Sequence, residues 1–320
     1  MILLLGASGY FGRAFAGELR RRGHSFIPLT RGAFDYTRFD FLFDYLRTMK
    51  PVFLINAANY CGPLDEADGA AQREQAMSAN ALLPQMIARV CSITKIPWGH
   101  LSSGCIYAGS KVIEGGRERI ETDLRQPEIR RLFAAHPERF PGFSEKDEAN
   151  FSFRHPPCSF YSGTKALAEE AIHGIGQCYI WRLRLPFNER DEPCNLLCQQ
   201  PDSMDDAINS LSHLEDCVKA CLDLWEIRAP FGIYNVTNPG AVAAREIVLA
   251  MPRAAKAPRA SGGKPSHAPT AKIPRSNCIL DVSKLLQSGV KLRTVNEAMD
   301  ESLHRLRAVL RTGRPDRFNN

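Results

Sequence analysis

MILLLGASGYFG, residues 1–12, decides the fold. Ile2–Leu5 is a short apolar run of strand length, and Gly6-Ala7-Ser8-Gly9-Tyr10-Phe11-Gly12 follows it directly and opens a helical pattern over Phe11–Arg22. Glycines placed between a strand and a helix serve three needs. One permits the tight turn, one lets the backbone approach a phosphate, and one lets helix and strand pack closely. The stretch therefore predicts a dinucleotide-binding turn held by Gly6, Ser8, Gly9, Tyr10, Phe11 and Gly12, with spacing G-x-x-G-x-x-G, one residue longer in its first gap than the usual fingerprint.

Outward from this turn, apolar runs at Ser25–Leu29, Val52–Asn56 and Trp98–Ser102 alternate with helical stretches near Arg38–Met49 and Gln72–Lys95, the latter carrying Pro84 as a kink. Such alternation predicts a Rossmann-type α/β fold, a doubly wound parallel sheet with loops gathered at the carboxyl ends of its strands. After Tyr107 the pattern breaks into an Arg/Glu/Gly/Pro-rich insertion, 108–143, which reads as a lid or an added element. A helix over Phe160–Ile175, a strand over Tyr179–Leu185, a helix over Leu214–Ile227, a strand over Gly232–Thr237 and a short helix over Arg245–Met251 come next. Residues 252–274 read as a flexible loop, and Asn296–Leu310 as an amphipathic helix capped by Asn296. The division expected is a cofactor domain over 1–185 and a smaller, mainly substrate-binding carboxyl-terminal lobe over 186–320, with some segments returning to the Rossmann core.

The 320 residues are 44% apolar and 24% charged, which suits a globular chain and excludes disorder and fibrous repeats. Gly6 interrupts the apolar start before a signal peptide or membrane span can form, so a cytoplasmic protein without membrane association is expected. Ten cysteines (61, 91, 105, 158, 178, 194, 198, 217, 221, 278) lie in apolar surroundings without a Cys-x-x-Cys pair, which points to free thiols. Cys194/Cys198 and Cys217/Cys221 lack His or carboxylate partners at ligand spacing, so no metal is expected. The formal charge of +6 is spread thinly, which argues for an anionic small molecule rather than nucleic acid as partner.

Several positions suit chemistry. Arg31, at the end of the second strand, stands where a cofactor's ribose is read, and a guanidinium there favours NADP(H), with NAD(H) possible and Asp35 as a rival partner. Asn56, Ala57 and Ala58 end the third strand, where small residues let a cofactor lie against the backbone. Tyr161 and Lys165 stand four apart on one helix face, which lets an ammonium stabilise a phenolate. Ser102 and Ser103 end the fourth strand, where a hydroxyl can donate to a carbonyl. Cys105 is two residues beyond Ser103; in an extended chain both side chains point the same way, and the thiol is either a proton-abstracting group or a small buried apolar residue. His213 reads as a capping or core histidine.

With the glycine turn, Ser103, Tyr161 and Lys165 in this order, the chain resembles the extended short-chain dehydrogenase/reductases. The segments LSSGCIY, FYSGTKALAEE, WRLRLP, GIYNVTNPG and RSNCILDVSKL look like the dTDP-4-dehydrorhamnose reductase branch, in particular the nucleotide-rhamnose synthase/epimerase-reductases. That resemblance implies NADPH-dependent reduction of a 4-keto-6-deoxy nucleotide sugar, with Tyr161 as proton donor, Lys165 as its partner and Ser103 as second hydroxyl. It also implies that Cys105 matches the cysteine used for 3,5-epimerisation, and that Arg275, Asn277 and Asn188 face the nucleotide diphosphate. The second epimerisation residue of those proteins, a lysine, falls opposite Gln199, and no lysine occurs between Lys165 and Lys219. The resemblance further implies a homodimer formed through the Tyr-x-x-x-Lys helix, and leaves open a cofactor-binding regulatory subunit such as that of methionine adenosyltransferase.

Overall fold

The computed structural model describes residues 1–60, 70–190, 192, 194–198, 206–252 and 275–312. The expectations for Gln199, Cys61 and most of the 252–274 loop lie outside the described residues. Strand β1 (Ile2–Leu5) is buried on both faces, and helix α1 (Tyr10–Arg21) buries Gly12, Phe15, Ala16 and Leu19, one stripe at helical spacing. Strand β2 (Phe26–Leu29), helix α2 (Phe39–Met49) and strand β3 (Phe53–Asn56) repeat the unit.

The expected single helix over 72–95 is divided. Helix α3 (Ala70–Met77) passes into a π turn, Ser78–Leu82, before α4 (Leu83–Thr94) begins. Pro84 lies in the first turn of α4, directly after the π turn whose last bond runs from the Leu83 N–H to the Ser78 carbonyl. Strand β4 (Trp98–Ser103) then runs into a 3-10 turn, Gly104–Ile106. The 108–143 insertion folds as a hairpin, β5 (Ser110–Glu114) and β6 (Arg117–Glu121), followed by α5 (Pro127–Ala135). Its Val112, Leu124, Ile129 and Phe140 pack against Ala207, Ile208 and Ile279, so the insertion is a wall of the carboxyl-terminal part.

Helix α6 (Phe160–Ile172), capped by the Ser159 hydroxyl, leads to β7 (Cys178–Leu183). The strand stops two residues earlier than its apolar run suggests because Leu185 turns the chain with φ +37°. Two-residue strands β8 (Pro186–Phe187), β9 (Ile208–Asn209) and β10 (Ser212–His213) precede α7 (Leu214–Glu226), whose cap is the His213 side chain. Strand β11 (Gly232–Asn235), strand β12 (Val242–Ala243) and helices α8 (Ala244–Ala250), α9 (Ser283–Gln287) and α10 (Val295–Thr312) complete the described elements. Thr294, not Asn296, caps α10: Thr294 and Glu297 exchange side-chain-to-backbone bonds of 2.7 and 3.3 Å, a capping box that the Asn296 reading overlooked.

The main sheet is parallel throughout, in the order β11-β7-β4-β3-β1-β2. Strand order reverses between β1 and β3, and the crevice outside their carboxyl ends is where such sheets bind ligands. One face is covered by α1 and α7 through Phe15, Leu19, Trp181 and Leu222, the other by α2, α4 and α6 through Leu42, Leu46, Ile87 and Ile172. Segment 277–281 threads through this frame. It bonds to Gly109, Phe143 and Ser210, and the Asn235 amide donates to the Phe143 and Asp281 carbonyls at 2.9 and 2.8 Å.

Candidate active site

The glycine turn is built as its chemistry requires. Gly6 takes φ +73°, and a Cβ there would lie 2.5 Å from the Ala58 nitrogen; a Cβ on Gly12 would lie 2.1 Å from the Gly6 carbonyl oxygen. Gly9 differs, since its Cβ would meet only that oxygen, at 3.3 Å, and space opens beyond. Gly9 also caps α1 without any side chain bonded to the free N–H groups, and no acidic residue stands in the first turn. The helix end thus presents its N–H groups as an anion cradle.

A cleft of about 420 Å³ runs from this cradle along the carboxyl ends of β1, β2 and β3, lined by Gly6, Ser8, Gly9, Arg31, Tyr36, Thr37, Ala57, Ala58 and Asn59 among others. Arg31 lies on its rim, whereas Asp35 is drawn aside by the Thr37 hydroxyl, which donates to its carboxylate at 2.5 Å. That bond, with the Thr37 backbone N–H, holds the exposed Asp35 carboxyl below its ordinary range. Asn56 is fully buried and its amide is spent inward, on His100 Nδ1 at 3.1 Å and the Ala58 N–H at 3.2 Å, so it shapes the strand end from beneath. Asn59 Oδ1 is buried and has no hydrogen-bond partner among the described residues. A larger cavity of about 470 Å³, lined by His24, Tyr179, Trp225 and Phe231, holds none of these groups.

At the end of β4 stand the residues expected to carry the chemistry. Lys165 is buried, its ammonium donates to the Leu101 carbonyl at 3.1 Å, and it lies 5.9 Å from the centre of the Tyr161 ring. Tyr161 packs against the cluster of Cys105, Ile106 and Tyr107. The Ser103 hydroxyl accepts the Cys105 N–H at 3.2 Å, which caps the 3-10 turn. This turn corrects the extended geometry expected for Ser103 and Cys105; the two come together because the chain coils at Gly104. The Cys105 thiol is buried in the cluster of Ile106, Tyr107, Phe143, Cys278 and Leu280. Burial pushes it up, against the opposing pull of Ser103, Arg184, Ser162 and Lys165.

The carboxyl-terminal residues divide by role. Asn277 accepts from Asn209 at 3.0 Å, and Arg275 stands beside it, half-buried, at the edge of the described segment. Asn188 is fully buried, accepts from the Tyr10 hydroxyl at 3.0 Å and donates to Glu215 at 3.2 Å, joining the glycine turn to the lobe. Burial followed by Glu215 pushes the Tyr10 phenol far up, so it stays a donor.

A family model described as the RmlD substrate binding domain matches residues 1–308. The chain belongs to this family. Its fold is that of the extended short-chain dehydrogenase/reductases. A trifunctional UDP-glucose 4,6-dehydratase/UDP-4-keto-6-deoxy-D-glucose 3,5-epimerase/UDP-4-keto-L-rhamnose-reductase of Arabidopsis thaliana is 25% identical over 304 residues, 93% of this chain and 41% of that protein. The chain therefore spans less than half the length of the trifunctional relatives. A bifunctional dTDP-4-dehydrorhamnose 3,5-epimerase/reductase of the same plant is 26% identical over 260 residues, 79% of this chain and 77% of that protein. Among solved structures, a UDP-rhamnose synthase of Acanthamoeba polyphaga mimivirus superposes with a TM-score of 0.74 at 19% identity, over 94% of this chain and 98% of the other. A Bacillus anthracis dTDP-4-dehydrorhamnose reductase in complex with NADP gives 0.65 at 16% identity, over 94% and 96%.

Three residues of this RmlD-family site were missed by sequence reasoning. Asn80, in the π turn, clamps the backbone N–H and carbonyl of Tyr60 at 2.9 and 3.1 Å, fixing the loop after β3. Tyr36 is buried in the cleft that Gly6 also lines. Arg184 is buried behind Cys105. None carries a local spacing signal; each acts on a residue at least 20 positions away.

Proposed function

We propose that the chain is an NADPH-dependent oxidoreductase that reduces the 4-keto group of a nucleotide-linked 4-keto-6-deoxy sugar. What supports this reading is that Lys165 donates to the Leu101 carbonyl on β4 and lies 5.9 Å from the Tyr161 ring, that Tyr161 packs against Cys105 in the turn that Ser103 caps, and that the glycine turn lines a cleft at the carboxyl ends of strands of the same sheet. The residues present fit the cofactor: a helix end without a side-chain cap for the pyrophosphate, backbone space at Gly9 that a side chain would fill, Arg31 on the rim for a 2′-phosphate, and the buried Asn59 Oδ1, without a partner among the described residues, for a ligand donor. When bound, the nicotinamide supplies the hydride to the carbonyl carbon.

Tyr161 donates its phenolic proton to the carbonyl oxygen, and the Lys165 ammonium stabilises the phenolate left behind. The backbone bond from Lys165 to Leu101 removes freedom from the lysine, so its charge stays fixed. Ser103 holds the carbonyl oxygen by donating its own proton while its lone pair is occupied by the Cys105 N–H. Arg275 and Asn277 face the nucleotide diphosphate, with residues 186–320 mainly forming the substrate side. Replacing Tyr161 by Phe should lower kcat by about 10²-fold or more, with NADPH affinity kept, in an assay following NADPH absorbance with a UDP- or dTDP-4-keto-6-deoxy sugar generated in place. Unchanged turnover refutes the assignment.

A second reading adds 3,5-epimerisation, because the Cys105 thiol sits against Ser103 with Lys165 nearby. Deuterium incorporation at C3 or C5 in heavy water tests it. A homodimer formed through α6 and a cytoplasmic setting complete the proposal; sedimentation of the purified chain tests the former, and localisation of the tagged chain the latter.

A further inference from the structure

Two arginines stand two residues apart at the end of β7, both buried, and the protein treats them differently. Arg182 is matched by the Glu169 carboxylate in a bidentate pair, with contacts of 2.7 to 3.1 Å, and by the Tyr107 hydroxyl at 2.9 Å. Arg184, 5% exposed, is held by neutral oxygens alone among the described residues: Asn209 Oδ1 at 3.2 and 2.8 Å, and the Ser276 carbonyl. A buried charge without a counter-ion costs several kcal/mol. Its neighbours show what the charge acts on. Asn209, which fixes the guanidinium, also accepts the Cys278 N–H at 3.0 Å; the Cys278 thiol in turn reaches the Gly104 carbonyl at 3.2 Å, one residue before Cys105. Both thiols lie in the field of Arg184.

We propose that Arg184 is a positioning residue for acid–base chemistry at Cys105: its fixed positive charge, with that of Lys165, is the counter-ion of the Cys105 thiolate. This rests on the second reading above. Ionisation of Cys105 releases its proton to solvent. The thiolate then takes the proton from the carbon next to the 4-keto group; the C–H bond breaks, an S–H bond forms, and the electron pair moves onto the carbonyl oxygen held by Ser103. The groups facing Cys105 are the Ser103 and Ser162 hydroxyls, the Arg184 and Lys165 cations, and the Cys158 and Cys278 thiols.

The test is the pH dependence of Cys105 alkylation by iodoacetamide, followed on the Cys105 peptide by mass spectrometry. Arg184→Gln keeps a donor to Asn209 and Ser276 but removes the charge, and Arg184→Lys keeps the charge. The Gln variant should raise the alkylation midpoint by about one pH unit or more, the effect of removing an opposite charge from contact range, and the Lys variant should restore most of it. A midpoint unmoved in a folded Gln variant, or moved equally in both variants, overturns the proposal. Deuterium incorporation by the wild type separates the two ideas: exchange with an unmoved midpoint overturns the role of Arg184 and leaves the epimerase reading standing. A moved midpoint without exchange supports Arg184 as the thiolate's counter-ion and removes the epimerase reading.

Discussion

Alanine at each glycine of the first turn separates building the fold from binding the cofactor. At Gly12 the new Cβ would lie 2.1 Å from the Gly6 carbonyl oxygen and 2.8 Å from Ala7 Cα, both backbone atoms that cannot swing away. Ordinary contact needs about 3.5 Å, so helix α1 must retreat from β1 by roughly 1 Å. Overpacking of this kind costs typically 1–3 kcal/mol, and the upper end applies where only backbone can give way. For a chain of 320 residues about 3 kcal/mol corresponds to a fall in Tm of roughly 4–5 °C, and the displaced helix end no longer aims its N–H groups at the phosphate. At Gly9 the φ of −74° suits any residue and the Cβ contact of 3.3 Å needs a shift of only tenths of an ångström. Gly9→Ala should therefore melt within about 2 °C of wild type while its methyl occupies the phosphate's place, raising the Kd for NADPH about tenfold or more. Differential scanning fluorimetry with and without NADPH reads both quantities. A Gly12→Ala protein that melts and binds like wild type, or a Gly9→Ala protein that loses stability while keeping affinity, would refute the division of labour.

Arg31→Ala should raise the KM for NADPH about tenfold and leave that for NADH nearly unchanged, since only the former carries the 2′-phosphate that a guanidinium pairs with; steady-state kinetics with both cofactors decide it. Burial works against the Asp216 carboxylate, but bonds with His213, Arg293 and Asn238 outweigh it and hold the carboxyl well below its ordinary range. A depressed folded pKa stabilises above the unfolded value of about 3.9, and the contribution is lost as pH falls through the folded value. Asp216→Asn should thus cost about 1–3 kcal/mol at pH 7, and its deficit against wild type should shrink as pH drops below about 4, measured by urea unfolding across pH.

The Rossmann half was legible because its signals are local: an apolar run, a glycine turn and a helical stripe at residues 12, 15, 16 and 19 stand next to one another in sequence. Tyr161 and Lys165 were legible for the same reason, being one helical turn apart. Two-residue strands such as β9 have no periodicity to read, and their partners are remote, as Asn209 is from Asn277. The coil at Gly104 was missed because apolar alternation says nothing of a turn that a serine hydroxyl caps. Asn80 and Arg184 declare themselves only when tertiary contacts show where an amide or a charge is spent. The capping box at Thr294 was readable and passed over, since Thr-Val-Asn-Glu carries the pattern at the required spacing.

The threading of 277–281 through Gly109, Phe143 and Ser210 also sets the order in which a growing chain can finish its site. Chains lengthen from the amino end, and domains settle as their contacts become available. The cofactor cradle is complete within the first third of the sequence, but the wall behind Cys105 waits for Cys278 and Leu280. A chain stopped before 275 should therefore leave 104–143 open to protease and hold no keto sugar, whereas one carried through Asp281 should protect that stretch. Nascent protein would then hold its reductant long before it can hold anything to reduce.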